Sequence, residues 1–163
     1  MDIKKYLQEI LEPAPKLAIM GVGSVLKADD AAGMVLIEML EQQLPASDQL
    51  LLIAASTAPE NFTGVIKDFA PERMLVVDAA HIGGKSGEIR LLEPEEIGGM
   101  TFSTHMLPLP VMINYLRQER YYPVDFIGIQ PRSTETGFSL SQEVYQTVKQ
   151  LAKSLIEIIK EKY

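Results

Sequence analysis

The chain contains no cysteine. A thiol nucleophile, a disulfide framework, an iron–sulfur cluster and a thiolate zinc site are all excluded by that absence. Histidine is nearly as scarce: His81 and His105 are the only two, so imidazole chemistry has two addresses. Positive charge is also short, with 15 Lys and Arg against 22 Asp and Glu and a formal net charge of −7. That balance repels a polyanion, and nucleic-acid binding by charge is disfavoured. Long apolar runs are missing. The stretch 17–26 falls short of the ~20 residues that a bilayer-spanning helix requires. No apolar segment with a small-residue cleavage site follows the charged start Asp2, Lys4 and Lys5. A chain without a targeting or membrane segment is expected in the cytoplasm.

What is present suits one globular domain spanning residues 1–163. A content of 47% hydrophobic residues can fill a core, and 23% charged residues is ordinary for a surface. Ile3, Leu7, Ile10 and Leu11 recur at helical spacing, predicting an amphipathic helix over 2–12, stopped by Pro13 and Pro15. This helix makes residues 1–16 an N-terminal extension. A continuous apolar run at 17–22 predicts a central strand buried on both faces, 50–55 a second strand, and 74–77 a third, buried strand. Helices are expected over 30–44, from Pro59 to about Phe69, over 108–119 and over 141–161. Residues 88–92 alternate and follow glycines, as an edge or antiparallel strand does, and 125–129 predicts a last strand. Such alternation of strands and helices argues for a three-layer α/β/α fold with a mainly parallel sheet.

In open α/β sheets, sites gather at the carboxyl ends of strands, near the switch in strand order. Three places follow strands here. After the first comes Gly21-Val22-Gly23-Ser24-Val25-Leu26-Lys27-Ala28-Asp29-Asp30-Ala31-Ala32-Gly33, in which glycines allow a tight turn and two acids open a helix. Taken alone, Asp29 reads as a helix cap. No Gly-Lys-Ser/Thr follows, so a nucleotide loop is poorly matched, and paired carboxylates repel phosphate. The third strand runs into Asp78, whose alternative role is to bond turn amides. His81, among small residues, reads as an exposed loop histidine. His105 lies in Ser103-Thr104-His105, before the helix that begins near Pro108. Asp30, Asp78 and His105, converging from strand-to-helix loops, would make an O,O,N set suited to a catalytic or transient metal site. A serine triad of Ser24, Ser56 or Ser103 with His105 and Asp78 lacks the Gly-x-Ser-x-Gly elbow.

Taken together, these segments resemble the NiFe-hydrogenase maturation endopeptidases, within them the type that processes the large subunit of hydrogenase 3. The opening string GVGSVLKADDAAG resembles that family's GxGNxxxxDDGxG motif. The likeness continues in Ser56-Thr57-Ala58-Pro59-Glu60-Asn61, Leu75-Val76-Val77-Asp78-Ala79, Gly87-Glu88-Ile89-Arg90, Ser103-Thr104-His105 with Pro108-Leu109, and Gly128-Ile129-Gln130-Pro131. The resemblance implies a five-stranded sheet with helices on both sides. It implies removal of a C-terminal peptide from the hydrogenase large-subunit precursor after nickel insertion, with Asp30, Asp78 and His105 as the metal-contacting positions. The nickel would be recognised in the substrate, not held tightly by the free protease. Ser24 replaces the common Asn, Ala31 a Gly, and Ala54 a frequent acid; His81 stands where relatives are often acidic. Water activation by a carboxylate base or by the metal both remain open. Two competing functions are a stand-alone metallohydrolase of small substrates and a nucleotide- or flavin-binding module using the first glycine loop.

Overall fold

The computed structural model describes residues 2–12, 14–92 and 108–162. Five strands form one sheet: β1 (Leu17–Val22), β2 (Leu50–Ser56), β3 (Arg73–Ala79), β4 (Ile89–Leu92) and β5 (Val124–Ile129). Among the described residues five α-helices cover it: α1 (Ile3–Leu11), α2 (Ala32–Glu41), α3 (Thr63–Phe69), α4 (Pro108–Arg117) and α5 (Gln142–Lys162). The strand order is β2-β1-β3-β5-β4. All neighbouring pairs run parallel except β4 with β5, which is antiparallel. The alternating pattern of residues 88–92 therefore belongs to an antiparallel edge strand, and the apolar runs at 17–22 and 74–77 to interior parallel strands, whereas 50–55 forms the other edge, β2, and is only partly buried.

Burial explains those runs. Every residue of β1 is buried, and every residue of β3 after Arg73. Successive side chains point to opposite faces. Leu17, Ile19, Leu75, Val77 and Ile127 pack with α1, α2 and α5, while Ala18, Met20, Met74, Val76 and Phe126 pack with α3 and α4. The apolar stripe of α5 (Val144, Val148, Leu151, Leu155, Ile158, Ile159) is buried in the first of these layers. The N-terminal helix joins the same layer through fully buried Leu7 and Leu11. Asp2 caps it by accepting from the Lys5 amide at 3.2 Å, and the Lys162 ammonium donates to the carbonyls of Leu11 and Glu12.

Two helices begin differently from their sequence pattern. The stretch expected as one helix from Asp30 opens with a 3-10 turn at Ala28–Ala31, and α2 proper starts at Ala32. The 3-10 turn Pro59–Phe62 precedes α3 in the same way. In the first case the cause is visible: the amides of Ala28 and Asp29 donate to the carbonyls of Gly137 and Ser133, so a distant segment directs the helix entry. Of the apolar residues near α4, Leu109, Met112 and Tyr122 are buried in the core, as apolar residues at helical spacing should be, but Tyr121 is exposed.

Connection order sets where a site can form. From β1 the chain passes to β2 on one side, then returns to β3 on the other. The switch in strand order thus lies between the carboxyl ends of β1 and β3, where the loops diverge and leave a crevice.

Candidate active site

The turn after β1 is shaped by glycine. Gly23 has φ +131°, a region L side chains rarely adopt, and its amide donates to the Ser56 carbonyl at 2.9 Å. A Cβ placed on it would lie 1.8 Å from the Asp30 carbonyl oxygen and 3.5 Å from Asp78 Oδ1. The main chain of Asp30 and the carboxylate of Asp78 therefore approach each other across Gly23, where no side chain fits. Gly33 serves the next layer: a Cβ there would stand 2.3 Å from the Val77 carbonyl oxygen and 2.6 Å from that of Val22. Its absence lets the first turn of α2 lie directly on the ends of β1 and β3.

Three carboxylates are buried among the described residues: Asp29, Asp30 and Asp78, with exposures of 0%, 1% and 1%. Asp29 and Asp30 lie in the turn after β1, and Asp78 near the end of β3. Burying a carboxylate is costly unless hydrogen bonds or charges compensate. For Asp29 the compensation is structural. Its Oδ2 accepts from the amides of Arg132 (2.8 Å) and Ser133 (3.1 Å) and from the Ser141 hydroxyl (2.9 Å), and its Oδ1 accepts from the Ser141 amide (2.6 Å). It ties the segment after β5, and the entry to α5, to the turn after β1. Asp30 Oδ2 accepts from the Ser24 amide at 2.8 Å, and Asp78 Oδ1 from the Ala79 amide at 2.7 Å. These two carboxylates are thus held by amides of the crevice itself. In the β-ladder Asp78 stands opposite Gly128, which sets no side chain beside it.

The structure brings Asp30 and Asp78 together at the switch point. His105, the third expected member, lies outside the described residues, as do Ser103 and Thr104. Among the described residues no group of three His, Cys, Asp or Glu side chains is gathered to hold a metal. His81 is exposed, in the loop that begins after Ala80 and is held by the Ile82 amide donating to Gln130 Oε1 at 2.8 Å. Ser24 Oγ accepts from the Leu26 amide at 3.3 Å, the local bond of a turn serine. Asp29 is more than the helix cap that its position suggests, because its partners lie more than 100 residues away. At the start of α5 the Ser141 hydroxyl donates to Asp29.

The sequence profile described as HycI, hydrogenase maturation protease, matches residues 34–158. The chain belongs to the hydrogenase maturation protease family. A Methanocaldococcus jannaschii protein assigned to this activity is 34% identical over 98% of this chain and 97% of its own length. The hydrogenase 3 maturation protease of Escherichia coli K12 is 31% identical, over 84% of this chain and 86% of that protein. In three dimensions the protease is similar to the crystal structure of the NiFe-hydrogenase maturation protease HycI from Thermococcus kodakarensis. The TM-score is 0.86 with 30% identity, covering 95% of this chain and 99% of that one. This protease is accordingly an endopeptidase, a hydrolase of peptide bonds. The five-stranded, mostly parallel sheet with helices on both faces is the architecture that the family resemblance implied. Among its described residues no helix is long and apolar enough to cross a membrane.

Proposed function

We propose that the protease removes the C-terminal peptide of a NiFe-hydrogenase large-subunit precursor once nickel has been inserted, with Asp30, Asp78 and His105 meeting the nickel-bearing region of that substrate. Hydrogenase maturation proteases act on hydrogenase precursors, and both the matching family and the Escherichia coli relative are described by that activity. The observation that carries the site is that Asp30 and Asp78 are both buried carboxylates, with the Asp30 main chain and the Asp78 carboxylate both against Gly23 at the switch point.

The chemistry follows from the donor types. Without cysteine, the protease offers only oxygen and nitrogen. Nickel in the precursor is substrate here, held mainly by the precursor's own thiolates; carboxylate and imidazole can complete its coordination but would hold free nickel weakly. Docking of that centre on Asp30, Asp78 and His105 orients the scissile peptide, and good orientation lowers the barrier by several kcal/mol. Hydrolysis then needs a base for water and an acid for the leaving amine. A carboxylate of the pair, through the oxygen that does not meet nickel, takes the proton of the attacking water and passes it to the leaving amine, while His105 orients the nickel centre.

The test is cleavage of the precursor with and without nickel, read by intact mass. Shortening only of the nickel-loaded form is expected. Equal cleavage of the nickel-free form overturns the gating, and hydrolysis of small amides with an untouched precursor overturns the substrate.

A further inference from the structure

The crevice has a neighbour that the hydrolytic chemistry does not use. Phe138 is 86% exposed, more than any other large hydrophobic side chain among the described residues. Val25 and Leu26, in the turn between β1 and Asp30, are 50% and 56% exposed. The two segments are far apart in sequence but joined in space. The Gly137 amide donates to the Leu26 carbonyl and the Ala28 amide to the Gly137 carbonyl, each at 2.9 Å, so Lys27 and Gly137 pair as in a short parallel bridge. Leu26 and Phe138 flank that bridged pair. The Asp29 carboxylate adds its bonds to Arg132, Ser133 and Ser141, on both sides of Phe138 in the chain.

We propose that Val25, Leu26 and Phe138 are an apolar docking platform for the large-subunit precursor, seating an apolar stretch of that protein next to the cleavage site. The proposal rests on the proteolytic reading above. Three features support it. The platform is anchored at both of its segments, so presenting it costs little ordering entropy on binding, and rigid aromatic anchors are what interfaces rely on. It is continuous with the catalytic turn, since Leu26 lies four residues from Asp30 on the same loop, at the carboxyl edge of the sheet. Its size decides the occupant. Three side chains offer a few hundred Å² at most, well below the ~800 Å² per partner of a stable interface. Alone it is too small to hold a second copy of this chain. Added to the contact that the active site must already make with the precursor, it supplies binding that a small crevice lacks.

Steady-state cleavage of the nickel-loaded large-subunit precursor of the source organism tests this, using Phe138→Ser and Leu26→Ser. Tyr121→Ser is the control, an aromatic 70% exposed that precedes β5 at the opposite edge of the sheet. For the two platform variants KM should rise roughly tenfold with kcat within about twofold, as loss of an apolar anchor predicts. The control should match the wild type, and all three should keep the wild-type melting temperature because their side chains are exposed. Normal wild-type cleavage with unchanged KM in both platform variants overturns the docking proposal alone. So does a Phe138→Ser variant that turns a dimer into a monomer, in sedimentation, without raising KM, because the occupant is then a second copy. A wild-type enzyme that leaves the precursor intact overturns the assigned reaction, and the platform with it.

Discussion

Asp29 and Asp30 are chemically identical neighbours, yet the fold separates their roles. Asp29 spends its oxygens on Arg132, Ser133 and Ser141, whereas Asp30 turns to the Ser24 amide beside Asp78. Substitution should separate them by experiment. Asp30→Ala and Asp78→Ala are each expected to lower precursor cleavage by roughly 10²–10⁴-fold, the usual scale for a positioned acid or base, with a native circular dichroism spectrum. Full activity in Asp78→Ala removes that residue from the mechanism. His81→Ala, at an exposed loop, should leave cleavage within about twofold, as surface substitutions generally do. Gly23→Ala forces a Cβ against the Asp30 carbonyl at positive φ. Its expected cost is about 2 kcal/mol or more of stability, seen as a lower urea midpoint, together with slower cleavage.

At the scale of elements, each strand and helix sits close to where its hydrophobic period places it. The runs at 17–22 and 74–77 are strands because both faces are covered, and 88–92 alternates because β4 is an edge. Boundaries shifted where distant backbone intervened, as at the 3-10 entry to α2, whose amides bond Gly137 and Ser133. Nothing in a local window encodes that contact. The same connection makes the 132–141 segment dependent on one side chain. Asp29→Ala strips the acceptor from three amides and a hydroxyl, with an expected loss of roughly 2–4 kcal/mol. Amide hydrogen exchange should rise first at Ser133 and Ser141, and wild-type protection there would contradict the latch.

For the whole molecule, a core on each face of one sheet sets the stability, and the surface ion pairs add little. Leu36→Ala, at a fully buried α2 position, should cost about 2–5 kcal/mol in chemical denaturation. The Lys4–Glu157 pair, at 2.5 Å but solvent-exposed, holds the Lys4 ammonium above and the Glu157 carboxyl below its ordinary pKa through their mutual hydrogen bond. Screening makes such a pair weak, so Lys4→Ala should hardly move the denaturation midpoint. The purified enzyme should also lose added nickel on desalting, measured by elemental analysis, since no thiolate is present to retain it. A stoichiometric metal that survives desalting would instead favour a resident metal site.

The sequence by itself determined the elements, the alternation that makes a three-layer α/β fold, the absence of thiol chemistry, and the motif order that marks the family. Those properties are local: hydrophobic period, glycine and proline placement, and residue type. It also pointed to Asp30 and Asp78, because strand ends near a switch in strand order are where loops part. Tertiary structure alone decided what Asp29 does, because its partners are residues more than 100 positions away. It alone joined Leu26 to Phe138, through backbone bonds to Gly137. Contacts of that range depend on how the chain returns across the sheet, and neither period nor propensity carries that information.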